Sequence, residues 1–195
     1  MRVPVVAAVV AVVSVSSAAP AVAAPAASPA PNGAGSATGL SAQDRDFLTA
    51  AGHGAAFEVA GGRLAADRAA DPRIRVFGNR MVRDHGKELQ QLQALDRTLG
   101  VTAPSAPGPD QQAVTAIWSS LRGGPFDCSY APTMQADHEA DLAAYTIAAQ
   151  HTTNAQVRAF AKAQIPMLHQ HLQLATRNLT GLHCAAPPRA PGASS

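Results

Sequence analysis

The sequence predicts an all-α fold: a four-helix bundle built from two hairpins, joined by a long crossover that carries a short extra helix. Three observations point there. Four segments carry apolar residues every three or four positions, the first pair of segments resembles the second, and the connection between the pairs is proline-rich and too long for a tight turn. Composition agrees with this. Of 195 residues, 47% are apolar and only 4% aromatic, with Ala carrying much of the apolar share, which favours closely packed helices over strands. The balance of 15 Lys and Arg against 13 Asp and Glu leaves no basic field for a phosphate backbone, so nucleic acid is not an expected partner.

Residues 1–23 read as a signal peptide. Arg2 precedes an apolar run from Val3 to Val15, and Ala21-Val22-Ala23 supplies the small residues of a cleavage site. That run is too short to span a bilayer, and no later stretch reaches the roughly 20 apolar residues of a transmembrane helix. The expected location is therefore extracellular or in the cell envelope, with association to the envelope but no transmembrane segment. Residues 24–39 and 185–195 are rich in Ala, Pro, Ser and Gly, and read as a disordered linker and tail around a bundle spanning 40–184.

The first helix opens with Ser41 as N-cap and Asp44 three residues on, a carboxylate version of the capping box, and runs to about Ala70. Asp71-Pro72 starts the second, which ends at Gly100; its inward stripe is Ile74, Phe77, Met81, His85, Glu88, Leu92, Leu95 and Leu99. The connection from Gly100 to Ser129 has Pro at 104, 107, 109 and 125 and a short amphipathic piece from Asp110 to Leu121 containing Trp118. An antiparallel neighbour would need only about 2 to 8 residues, so this connection is expected to run the length of the bundle, as in ferritin-like folds. The third helix is expected from about Tyr130 to Thr152, with Tyr130, Met134, His138, Asp141, Tyr145 and Ala148 inward. The fourth follows Asn154 as N-cap to about Leu182, through Val157, Phe160, Gln164, Leu168, His171 and Ala175, and Pro166 should kink it. Sliding the chain along itself so that Phe47 falls on Tyr130 also places Glu58 on Asp141, Asp71 on Asn154, Ile74 on Val157, Arg75 on Arg158 and Phe77 on Phe160. The two hairpins thus read as one unit used twice.

The crossover puts the middles of all four helices at one level, and each sends a polar side chain there: Glu58, then His85 and Glu88, then His138 and Asp141, then His171. Buried carboxylates and imidazoles are costly unless paired or metal-bound. Two explanations compete: coordination of one or two transition-metal ions (iron, manganese or zinc), or a closed hydrogen-bond network without metal. The usual di-iron pattern has Glu-x-x-His on two helices, whereas here the second helix reads His85-Gly86-Lys87-Glu88 and the fourth has Leu168 where a carboxylate would stand. His138-Glu139 lacks the second His of a zinc-protease helix, and His169 and His171 point to different helix faces. Cys128 before the third helix and Cys184 after the fourth suit a disulfide in an exported chain, since antiparallel packing brings those ends together; free or intermolecularly paired thiols are the alternative.

Several stretches resemble a bacterial family of exported ferritin-like proteins, the domain-of-unknown-function family four-one-four-two. They are Asp44-Arg45-Asp46-Phe47-Leu48, Ala56-Phe57-Glu58-Val59-Ala60, Asp71 to Gly78, Met81-Val82-Arg83-Asp84-His85, Met134-Gln135-Ala136-Asp137-His138 and Pro166-x-x-His169-x-His171-Leu172. The resemblance covers Leu40 to Leu182 and implies a ferritin-like bundle, an exported location and a polar core of Glu58, His85, His138 and His171. It implies no activity. Two functions follow as expectations: a non-catalytic binding or structural module of the cell envelope, monomeric or weakly associating, and alternatively a metal-dependent oxidase or metal-sequestering protein using the Glu/His cluster.

Overall fold

The computed structural model describes residues 39–184; the expected signal peptide, nearly all of the linker and the tail lie outside the described residues. Five helices follow in order: α1 (Ala42–Arg68), α2 (Pro72–Leu99), α3 (Pro109–Ser120), α4 (Gly123–His151) and α5 (Ala155–Leu179). The caps explain where they begin and end. Ser41 and Asp44 form the reciprocal capping box of α1, Asp71 accepts from the Arg73 N–H ahead of Pro72, and Gly100 closes α2 in the left-handed region at φ 66°. Asn154 accepts from the N–H groups of Gln156 and Val157 to start α5. None of the helices among the described residues is long and apolar enough to cross a membrane.

The third long helix begins at Gly123, earlier than the expected Tyr130. Gly123, Gly124 and Pro125 read as a break, yet the N–H groups of a first helical turn have no intrahelical partner, so a proline there costs little. α5 runs from Ala155 to Leu179 through Pro166, and α4 likewise contains Pro132.

Hydrogen bonds at the helix ends give the direction of each rod. Asp44, at the start of α1, accepts from the Thr152 hydroxyl just past α4, and Asp127, at the start of α4, accepts from the N–H groups of Ala70 (3.2 Å) and Asp71 (2.8 Å) just past α1. So α1 and α4 are antiparallel. Arg80 donates to Gln170 and Gln164 to Gln91, which makes α2 and α5 antiparallel as well. With short turns reversing α1 into α2 and α4 into α5, α2 and α4 point the same way, and the connection between them is the expected crossover. The duplication has a physical counterpart here. The Arg75 and Arg158 guanidinium groups each reach back to a carbonyl six residues earlier, Ala69 and Thr152, and each hairpin's first-helix Asp bonds to the other hairpin's turn.

α3 closes one side of the bundle with Trp118, which is fully buried, stacks on Phe57 at 5.2 Å and donates its indole N–H to Ser129. Gly61 leaves the room for it, since a Cβ there would lie 2.7 Å from the Trp118 ring. The apolar core has two lobes. Phe57, Phe77, Met81, Trp118, Phe126, Tyr130 and Met134 form one, and Leu48, Leu92, Tyr145, Phe160 and Leu168 form the other. Along α2, α4 and α5 the buried histidines lie between residues of the two lobes, and on α1 Glu58 directly follows Phe57 of the first.

Candidate metal centre

Glu58 from α1, His85 and Glu88 from α2, His138 from α4 and His171 from α5 are all buried, each at most 2% exposed, at the level where the two apolar lobes meet. Helical spacing put them there, because each continues its helix's apolar stripe. His85 lies at the hub. Its Nδ1 is 2.8 Å from Glu58 Oε2 and 2.7 Å from Glu88 Oε2, and its Nε2 is 3.1 Å from His171 Nδ1. Glu88 also accepts from the Tyr145 hydroxyl, and His171 Nε2 lies 3.0 Å from Asp84 Oδ2 near the surface. Every oxygen of Glu88 and both nitrogens of His85 and His171 thus have a partner.

Burial works against a charge on the His85 ring, but Glu58 and Glu88 outweigh it and raise its pKa well above the ordinary imidazole value. Burial, aided by the neighbouring His85 charge, lowers His171 to about 4 and His138 to about 3. The ring protons then have fixed places. A neutral His171 donates from Nε2 to Asp84 and accepts from His85 at Nδ1, while the cationic His85 donates from Nδ1 to the carboxylates.

On the α1/α4 side the network does not close. His138 donates from Nδ1 to the Met134 carbonyl at 2.8 Å, which can only accept, so its Nε2 presents a bare lone pair. That nitrogen lies 3.1 Å from Glu58 Oε1, yet the two are out of hydrogen-bond alignment and neither has a partner. Asp137 Oδ2 and the Tyr130 hydroxyl are likewise buried without partners. Native interiors leave few such groups, and each calls for an explanation. Burial raises Glu58 to about 8, with Asp141 and Glu88 adding to the push and His85 opposing it; burial and Glu58 raise Asp137 well above the carboxylate range. Burial thus disfavours both acids as anions, Glu58 even with the His85 ring beside its Oε2.

Three groups of side chains bring ligand atoms within 4.8 Å of one another: His85 with His138 and His171, Glu58 with His85 and Glu88, and Glu58 with Asp137 and His138. Of the six residues expected at the centre, five fall in these groups. The sixth, Asp141, is half-buried and in none of them; burial and then the Asp137 carboxyl raise it to about 8, and it faces Gly54, where a Cβ would sit 3.7 Å from its Oδ1. Asp137 is the member that the sequence reading missed. It stands beside His138 rather than three or four residues away, so it falls off the inward stripe, and the one signal for it was its place in the repeated Met-x-x-Asp-His stretch. Cys128 and Cys184 are bonded to each other, with Cα atoms 5.6 Å apart, and no free cysteine occurs among the described residues.

In the comparisons, the family model described as a domain of unknown function, DUF4142, matches residues 29–177. No curated protein and no solved structure matches the chain.

Proposed function

This chain belongs to the DUF4142 family, a domain of unknown function, and we propose that it is an exported metal-sequestering protein holding one divalent transition-metal ion through Glu58, Asp137 and His138. One observation carries this reading. Three of the buried side-chain atoms left without partners, Glu58 Oε1, Asp137 Oδ2 and His138 Nε2, belong to three residues whose ligand atoms converge within 4.8 Å. A cation among them would neutralise two carboxyls that burial disfavours as anions, and would take up the His138 lone pair, which has no hydrogen-bond partner. Two carboxylates and an imidazole suit manganese, iron or zinc better than a soft ion.

The remaining polar residues support the ligands. The Met134 carbonyl fixes the His138 tautomer, and His85, held between Glu58 and Glu88, sets the orientation of the Glu58 carboxyl. Glu88 and His171 are satisfied by Tyr145, His85 and Asp84, so they orient the site and are not ligands in this proposal. Such a protein is a binding module of the envelope that uses the Glu/His cluster, which joins the two expected functions. Export rests on the signal-peptide pattern of residues 1–23 and is supported by the disulfide, which persists in oxidising compartments.

The test is metal analysis of untagged protein after reconstitution with manganese, iron or zinc and removal of excess ion. One equivalent is expected in the wild type and less than a tenth of that in Glu58→Gln and Asp137→Asn, with helical content unchanged. Metal-free wild type, or full occupancy in both variants, would overturn the proposal. The intact mass of secreted protein should correspond to a chain beginning at Ala24.

A further inference from the structure

We propose that the groove between the first half of α2 and the last third of α5 binds a free straight-chain carboxylate. The groove has a volume of about 480 Å³, with Val76, Phe77 and Leu174 as its apolar lining and Arg73, Arg80 and Arg177 around them; no acidic side chain lines it. Val76 is 70% exposed, the most exposed large apolar side chain among the described residues. Asp71 pairs with Arg73 and Asp84 with Arg80, while Arg177 has no ion pair among the described residues. An apolar trough with the unpaired Arg177 guanidinium at its edge complements a ligand with an apolar body and an anionic head, and a guanidinium matches a carboxylate in a two-point bond. The stretch of α2 from Pro72 to Arg80 is about 12 Å long, the length of an extended chain of about ten carbons.

The groove is also next to the buried centre. Phe77, part of its lining, has its ring centroid 6.0 Å from that of His138 and 6.4 Å from that of His171, so one aromatic ring separates a bound chain from the imidazoles. The inference does not rest on the metal reading, and metal-free protein tests it.

Isothermal titration of the full secreted chain with hexanoate, octanoate and decanoate, each below its micelle concentration, is expected to show one saturable site. Affinity should climb by up to about fourfold for each methylene buried. Decanol, with the same chain and no charge, is expected to bind at least tenfold more weakly. Arg177→Gln should weaken decanoate without affecting decanol, and Val76→Glu, a change at an exposed position, should abolish both. Absent decanoate binding, equal affinity for decanol, or an unaltered Arg177→Gln variant would each overturn the proposal. So would binding that emerges only after residues 185–195 are removed, or a chain dimeric through this groove in sedimentation, since the trough would then already have an occupant.

Discussion

Tyr145 shows how much a single hydroxyl can control in this core. It donates to Glu88 Oε1, which leaves Glu88 Oε2 to face His85 and keeps the imidazole ring between two carboxyls. Tyr145→Phe preserves the edge-on contact with Phe47 but strands a buried carboxylate oxygen, at a cost of about 1–3 kcal/mol, to be read from the shift in urea midpoint at unchanged m. Asp137→Asn should behave differently with and without metal. In metal-free protein it removes a carboxyl that burial disfavours as an anion, so stability should hold or rise. With ion at about a hundred times its dissociation constant, the wild type should gain about 2.7 kcal/mol that the variant does not. Equal metal-induced gains in both proteins would remove Asp137 from the ligand set. Sequence made Glu58, His85, Glu88, His138 and His171 legible because a charged or imidazole side chain on an otherwise apolar stripe stands out. Asp137 was hidden, since it is half-buried and stands one position from His138, off the inward stripe of α4.

Between elements, the two hairpins share a plan and differ in how closely their helices meet. In the first, α1 and α2 touch backbone to backbone: a Cβ added at Gly62 would lie 2.5 Å from the Gly78 carbonyl oxygen, and one at Gly78 would lie 2.6 Å from that of Gly62. Because these obstacles are main-chain atoms that cannot rotate away, Gly78→Ala should destabilise by about 1–3 kcal/mol, despite the better helix propensity of Ala. In the self-alignment Tyr145 takes the place of Gly62 and Ala161 that of Gly78, so the second hairpin spends this space on the side chain that reaches Glu88. The cap residues were legible because each acts on its own helix end; the true start of α4 was not, because Gly123 and Pro125 serve equally well as a break or as a first turn. A cap between hairpins also carries a pH signature. Burial pushes the Asp44 carboxyl up, but bonds from Thr152 and Ser41 together outweigh it and hold its pKa below the ordinary value. A carboxylate lowered by folding contributes stability above its unfolded pKa of about 3.9 and loses it as pH falls towards the folded value. Wild type should therefore lose stability more steeply than Asp44→Asn as pH is lowered from about 4.5 to 2.5, by denaturation at each pH; parallel curves would contradict the assignment.

For the molecule as a whole, the crossover solves one packing problem and creates another. It makes every neighbouring pair of long helices antiparallel and sets the four polar stripes at a common height, but it leaves the two hairpins joined covalently by a single long connection whose main anchor is Trp118. The reciprocal bonds of Asp44 and Asp127 hold the hairpins at opposite ends, and the Cys128–Cys184 disulfide fastens the start of α4 to the chain beyond α5. That bridge spans 56 residues, so in the chain-entropy account it restrains the unfolded second hairpin by about 4 kcal/mol. A Cys128→Ser, Cys184→Ser double variant should accordingly melt about 8–16 °C lower, the range expected for such a loss in a domain of this size. Its metal content should stay the same, because the bridge lies at the end of the bundle beside the apolar lobe of Phe126 and Tyr130, about two helical turns or more along α4 from Asp137 and His138. A fall in melting temperature with metal retained would separate what holds the bundle shut from what its centre binds. Loss of metal with the fold intact would mean that the position of α5 reaches the centre through His171, and that the ligand set extends beyond Glu58, Asp137 and His138.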